Sequence, residues 1–240
     1  MKAAIVTGGT RGIGKAIVTK LLSQGCKVYT CYSSDLESAS LLRKEMSEYE
    51  NNLVIEQVDL SSYERAISYM ERIINREENG VDYLIFNAGG TQKKSFEEMD
   101  YEGWKKCFDI NLNIPLFMIQ KAYHHINEDG RIIFMSSVMS TYEHSGSIAY
   151  GVSKASINSL TEYLVKYFNE RHITVNAVIT GFTNTAMIKR TPEHEQRIND
   201  KIALGRFAEP YEIAQFVYHI IEDGYVNGSL MEIDGGYCYK

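Results

Sequence analysis

Proline is scarce in this chain, three in 240 residues, and tryptophan occurs once. That excludes collagen-like and proline-rich linker architectures, while 44% hydrophobic and 23% charged residues supply enough apolar surface for a packed core. Cysteine is sparse as well. Cys26, Cys31, Cys107 and Cys238 show neither CxxC nor other ligand spacing, so they read as small buried hydrophobes plus a free surface thiol rather than a zinc site or disulfide framework. The six histidines show no HxxxH grouping, His124-His125 reads as a surface or packing pair, and no metal is expected. No apolar run approaches the roughly 18 residues of a membrane span. Met1 leads directly into Lys2-Ala3-Ala4-Ile5-Val6 with no signal-like segment, so a cytoplasmic location and no membrane partner are expected. Positive charge is in deficit too. A net charge of -6 would repel nucleic acid on average, which disfavours it as a partner.

What the chain does have is an alternation of short β-branched runs with amphipathic stretches. Runs at 3–7, 28–31, 53–58, 83–86, 131–135, 174–179 and 230–233 read as strands. Helical periodicity lies between them at 14–23, 36–48, 62–75, 104–126, 150–169 and 212–221. This βαβ order predicts an α/β fold of the Rossmann-type, doubly wound kind, a seven-stranded parallel sheet with helices on both faces. A single domain over 1–240 is expected, with a polar substrate flap at 184–205. In such sheets ligands bind beyond the carboxyl ends of the strands, so the residues that follow each strand are the ones to examine.

The first strand runs into Thr7-Gly8-Gly9-Thr10-Arg11-Gly12-Ile13-Gly14 and then a helix. Gly8 and Gly12 can adopt tight-turn conformations beside a pyrophosphate, and Gly14 permits close packing of the helix. The helix amino terminus offers unpaired N–H groups and a positive dipole end to phosphate. A glycine cluster alone could be a simple connector; its place in the first βα turn is what marks it as a dinucleotide loop. At the tip of the second strand, Cys31-Tyr32-Ser33-Ser34, no acid stands ready for a ribose 2′-hydroxyl. Asp35 reads as the cap of the next helix. Arg11, with Ser33 or Ser34, can reach a 2′-phosphate, so NADP(H) is preferred over NAD(H).

Tyr150 and Lys154 lie one helical turn apart on a shared face, thirteen and seventeen residues beyond Ser137 at the end of the fifth strand. Tyr101 and Lys105 have the same spacing but no serine partner at a strand end, and read as surface residues. A phenol with an ordinary pKa of about 10 needs a neighbouring cation to exchange protons near neutrality, and a serine hydroxyl can orient a carbonyl oxygen toward it. Ser137 could otherwise be an ordinary turn hydroxyl.

With these motifs in hand, the chain closely resembles the short-chain dehydrogenase/reductase family over nearly its full length. The resemblance implies that Gly8, Thr10, Arg11, Gly12, Ile13 and Gly14 hold the cofactor phosphates and that Asp59-Leu60 meets adenine. It further implies that Asn87-Ala88-Gly89 forms the turn after the fourth strand, and that Thr183 and Thr185 contact the nicotinamide side and the phosphates. Asn111 would complete a catalytic tetrad with Ser137, Tyr150 and Lys154, supporting a water-linked proton path to the lysine, and Lys154 would also hold ribose hydroxyls. Thr180-Gly181 stands where the family usually has Pro-Gly, and the loss of a fixed φ is expected to loosen that loop. The closing segments at 204–210 and 227–236 imply a homotetramer or homodimer, which light scattering would test.

Within the family, 3-oxoacyl carrier-protein reductases are similar in length, loop and ending, which implies a 3-oxoacyl thioester as substrate. Arg171 matches one basic position that meets an acidic carrier protein, but Glu128 stands where another is usual, so an acyl carrier protein partner is disfavoured. The alternatives are a reductase of another small ketone or sugar-like alcohol, and a cofactor-binding regulator without turnover. An epimerase or dehydratase would need a longer substrate domain than the residues after Gly181 provide.

Overall fold

The computed structural model describes residues 1–142, 147–186 and 191–239. Seven strands pair in one sheet, β1 (Ala3–Val6), β2 (Lys27–Tyr32), β3 (Leu53–Gln57), β4 (Val81–Phe86), β5 (Ile126–Ser137), β6 (Thr174–Thr180) and β7 (Leu230–Ile233). Their order is β3-β2-β1-β4-β5-β6-β7, and every pairing is parallel. The chain winds outward from β1 to β3, then crosses back to β4 and winds the other way. The switch point therefore lies between β1 and β4, where the crossovers diverge and leave a crevice.

Period-two alternation of the strands feeds two cores. Ile5, Ile132 and Phe134 face one side, where they meet helices α3 (Tyr63–Arg76), α5 (Ile114–Ala122) and α6 (Ile148–Phe168). Ala4, Val6, Ile133 and Met135 face the other, against α1 (Gly12–Ser23) and α8 (Pro210–Glu222). Burying both faces explains why the strands read as continuous apolar runs rather than as alternating ones. Each fully buried Ile, Leu or Val contributes about 1.5–3 kcal/mol, so the sheet and its strand ends are a rigid platform.

Two local features differ from the sequence expectation and both bear on the site. The helix expected over 104–126 is divided into α4 (Tyr101–Phe108), a π-helical turn at Asp109–Asn113, and α5. Inserting one wider turn re-aims Asn111, and such turns recur where a side chain must point at a ligand or a catalytic group. The polar 184–205 segment contains a helix, α7 (Pro192–Asn199), started by the Thr191 hydroxyl accepting from the His194 N–H at 3.2 Å. Residues 187–190 of the expected flap lie outside the described residues. The remaining helix, α2 (Leu36–Glu45), begins at Asp35, which accepts from the Ser38 N–H at 3.0 Å as its expected cap.

Candidate functional site

A cavity of about 920 Å³ opens at the carboxyl ends of the strands, above the β1/β4 switch point. Its floor is the phosphate loop. Gly8 at φ +67° and Gly12 at φ +56° occupy the left-handed region that disfavours side chains. Gly14 serves another purpose. A Cβ there would stand 2.3 Å from the Gly8 carbonyl oxygen and 2.4 Å from the Asn87 amide, so the contact that requires glycine is with the loop and β4 rather than with the strand before it. Gly14→Ala is expected to displace the loop and weaken NADPH affinity at least tenfold in a fluorescence titration; an unchanged affinity would show that the loop has slack.

Thr7, just after β1, and Asn87, just after β4, brace the loop. The Thr7 hydroxyl accepts from the N–H groups of Asn87 and Ala88, each at 3.0 Å. The Asn87 amide donates to the carbonyls of Thr7 and Gly8 at 3.1 and 3.0 Å. Asn87 therefore positions the loop. The first N–H groups of α1 have no intrahelical acceptor, and the N-cap residue Arg11 makes no side-chain cap bond, so they remain directed at the cavity. Thr185 sits across the loop, its methyl 3.1 Å from where a Cβ on Gly12 would be.

Along one end of the cavity run Ser33, Asp35, Val58, Asp59 and Leu60. Arg11 donates to Asp35 at 3.0 Å, so the guanidinium is held over the end of β2 by the carboxylate that also caps α2. Asp59 accepts from the N–H and hydroxyl of Ser61, and these bonds hold its carboxyl below the usual carboxylate range. These residues form the part of the site suited to an adenosine.

At the other end, β5 delivers Ser136 and Ser137, and the first turn of α6 delivers Tyr150. The Ser137 hydroxyl lies beside the Tyr150 phenol on the cavity lining and accepts from the Met139 N–H at 3.2 Å. Lys154, one turn further, is 4% exposed, and its Nζ donates to the Met135 carbonyl at 2.6 Å and lies 5.6 Å from the Tyr150 ring centre. Burial pushes the Tyr150 phenol up to about 12, against the smaller opposing effect of Ser137, and burial brings the Lys154 ammonium down to about 8. The decoy pair is elsewhere: Tyr101 is 74% exposed, and Lys105 pairs with Asp109 at 2.7 Å.

Asn111 is buried beside this group. Its amide donates to the Gly90 carbonyl at 2.8 Å and the Ser153 hydroxyl at 2.9 Å, and its side-chain oxygen accepts from the Gly90 N–H at 2.9 Å. With the side chain so engaged, it clamps the Gly89–Gly90 turn and the residue just before Lys154. A Cβ on Gly89 would stand 3.0 Å from the Asn111 side-chain oxygen and 3.6 Å from the Lys154 nitrogen.

Hydrogen bonds fix the start of the loop after β6. The Thr180 hydroxyl donates to the Ser136 carbonyl at 3.2 Å, and Gly181 N–H to Ile233 at 2.9 Å. Thr183 bridges to Ala208. Thr183 and Thr185 thus line the cavity as expected, together with Thr10 and Ile13. Sequence reasoning passed over Lys93, Lys94, Lys106 and His194, which also line it. The lysines at 93 and 94 follow the β4 turn, and the rule that ligands meet the ends of parallel strands is the signal that could have found them.

A dinucleotide fits this cavity. The glycine cradle, the uncapped helix start and the Arg11 guanidinium match its phosphates, and the tyrosine, serine and lysine meet where a reacting ring would end. The profile described as "short chain dehydrogenase" matches residues 2–196. The chain belongs to the short-chain dehydrogenase family. Among its relatives, an acetoacetyl-CoA reductase of Rhizobium meliloti is 32% identical, with 98% of each chain covered. A 3-oxoacyl acyl-carrier-protein reductase of Aquifex aeolicus is 31% identical, covering 98% of this chain and 96% of that one. Among solved structures, a blue fluorescent protein from a metagenomic library in complex with NADPH superposes with a TM-score of 0.92 at 28% identity, covering 98% and 97%. As a short-chain dehydrogenase this chain is an oxidoreductase that interconverts CH–OH and C=O with a nicotinamide cofactor. No described helix is long and apolar enough to cross a membrane.

Proposed function

We propose that this short-chain dehydrogenase is an NADPH-dependent reductase of a 3-oxoacyl thioester. The observation that carries the reading is that Ser137, Tyr150 and buried Lys154 line one cavity with the phosphate loop. The cofactor supplies a hydride. Ser137 orients the ketone oxygen and offsets the charge that builds on it. Tyr150 passes its phenolic proton to that oxygen, and Lys154 stabilises the phenolate left behind. Asn111 positions Lys154 through Ser153.

Burial keeps the Tyr150 phenol protonated, the form in which it donates to a carbonyl oxygen. The fully assembled Ser137, Tyr150, Lys154 and Asn111 set also favours turnover over a regulator that only binds cofactor.

A small thioester suits the surface better than an acidic carrier protein. The guanidinium of Arg171 is engaged by the backbone carbonyls of Tyr123 and Ile126, which leaves it poorly placed for a partner, and Glu128 is exposed. Assaying acetoacetyl thioesters against simple ketones tests the substrate class: faster turnover of the simple ketones would shift the reading to a small-ketone reductase.

NADP(H) over NAD(H) rests on Arg11. A charge-assisted bond to a 2′-phosphate is worth about 1.5–3 kcal/mol, or roughly 10–150-fold. Arg11→Ala is therefore expected to lower kcat/KM by that factor with NADPH and by less than threefold with NADH. Equal losses with both cofactors would assign Arg11 to the loop and not to selectivity.

A further inference from the structure

A third apolar cluster stands apart from the two cores of the sheet, at the reaction end of the cavity. It joins Val138, which follows Ser137, to Phe182 beyond β6, Ile198 of α7, Phe207 and Tyr237. Val138 and Phe182 also line the cavity. Phe182 belongs to the reaction end because Thr180, two residues before it, is paired in register with Ser137. Its ring is backed by others. Tyr237 packs on it with ring centres 5.3 Å apart and Phe207 with centres 5.6 Å apart, while Tyr142, just past the Val138–Ser140 turn, meets Tyr237 at 5.6 Å. Phe182, Phe207 and Tyr237 are all buried. Tyr237 arrives from the carboxyl-terminal segment, whose backbone bridges antiparallel to Ile202. The N–H groups of Ala203 and Leu204 donate to the carbonyls of Gly236 and Gly235, each at 3.1 Å. A Cβ on Gly236 would stand 2.8 Å from that of Ala203, so only glycine lets the segment lie this close. The segment is thereby fixed to the chain that follows α7.

We propose that Tyr237 sets how long an alkyl chain the site accepts, by backing Phe182 as a closed wall against the end of the substrate beyond the ketone. The proposal rests on the 3-oxoacyl thioester reading. A ketone whose oxygen meets Ser137 and Tyr150 carries two substituents: the polar thioester arm needs the open mouth of the cavity, whereas the alkyl end gains from an apolar wall. Tyr237 touches Phe182 and not the substrate, so it is a positioning residue. Removing its ring leaves a space into which Phe182 can retreat, and each methylene of substrate buried in the room gained is worth about fourfold in affinity.

Acetoacetyl-, 3-oxohexanoyl- and 3-oxooctanoyl-pantetheine with NADPH read the wall directly. The unsubstituted enzyme should favour the shortest. Tyr237→Ala is expected to raise kcat/KM for 3-oxohexanoyl-pantetheine relative to the acetoacetyl thioester about tenfold, through KM, with NADPH affinity within twofold. Tyr237→Phe keeps the ring and should leave the profile within twofold of the original. Tyr237→Leu retains more packing, should shift the profile in the same direction as alanine, and decides the matter if the alanine variant does not fold. Equal acceptance of all three chains by the unsubstituted enzyme, an unchanged profile in the alanine and leucine variants, or an equal loss on every substrate would overturn the proposal. So would a change that follows the arm, read with N-acetylcysteamine in place of pantetheine, rather than the acyl chain. If the unsubstituted enzyme reduces none of the thioesters, the thioester reading fails, and 2-butanone, 2-hexanone and 2-octanone take their place. Binding of the matching 2-alkanols to the NADPH-loaded protein, followed by cofactor fluorescence, needs no turnover and still decides whether Tyr237 sets the wall.

Discussion

Tyr150→Phe is expected to lower kcat for ketone reduction by roughly 10³-fold, within the range by which a positioned general acid accelerates proton transfer. NADPH affinity should stay within about threefold, because the phosphate loop, Arg11 and Asp59 are untouched and only one hydroxyl is removed. Ring packing is retained, so a folding defect is not anticipated. Tyr101→Phe is the matched control, since that side chain has the same spacing to a lysine yet is 74% exposed outside the cavity. Steady-state NADPH oxidation and fluorescence titration on both variants check the pair. A comparable loss in both, or full activity in Tyr150→Phe, would remove Tyr150 from the chemistry.

Lys154→Ala is expected to lower kcat/KM by roughly 10²–10³-fold, the scale on which preorganised electrostatic groups act. Lys154→Met removes the ammonium while keeping most of the buried stem, so a matching loss of activity there without loss of thermal stability marks a role in the site. The pH profile gives a second readout. Burial holds Lys154 near 8, so the ammonium is present below that value and disappears above it. Where the ammonium stabilises the phenolate left after proton donation, kcat should be level from pH 6 to about 7.5 and fall above about 8. Lys154→Arg keeps its charge throughout and should flatten that fall. A rate that rises through pH 8 to 9 in the unsubstituted enzyme would contradict the assigned charge state.

Much of this was legible in the residues because several local signals agreed. The glycine loop and Ser137 fall at the carboxyl ends of β1 and β5, where backbone geometry restricts what can sit, and the Tyr150–Lys154 pair shares one face of the first turns of α6. Asp35 was read as a cap, and it is one, but its second bond to Arg11 joins residues 24 apart in sequence and is invisible to local pattern. The same holds for Asn111. Its position could be matched by resemblance, yet the π-helical turn that aims it, and its bonds to Gly90 and Ser153, arise only when α4 packs on α6. Helical periodicity cannot register one extra residue in a turn. The Thr180 hydroxyl bond to the Ser136 carbonyl on the neighbouring strand is likewise invisible to local pattern. The polar 184–205 segment hid α7 because a short helix that packs mainly through Ile198 has little apolar periodicity to detect.

The central claim is that a hydride reaches a ketone carbon while Tyr150 protonates its oxygen. It is tested most directly with NADPH deuterated at the transferable position, acetoacetyl-pantetheine as acceptor, and mass analysis of the product. The unsubstituted enzyme should yield a 3-hydroxyacyl thioester carrying one deuterium at the carbinol carbon, one per NADPH oxidised, and Tyr150→Phe should form it roughly 10³-fold more slowly. NADPH that binds without oxidation across acetoacetyl thioesters and simple ketones, or product without deuterium, would contradict the account.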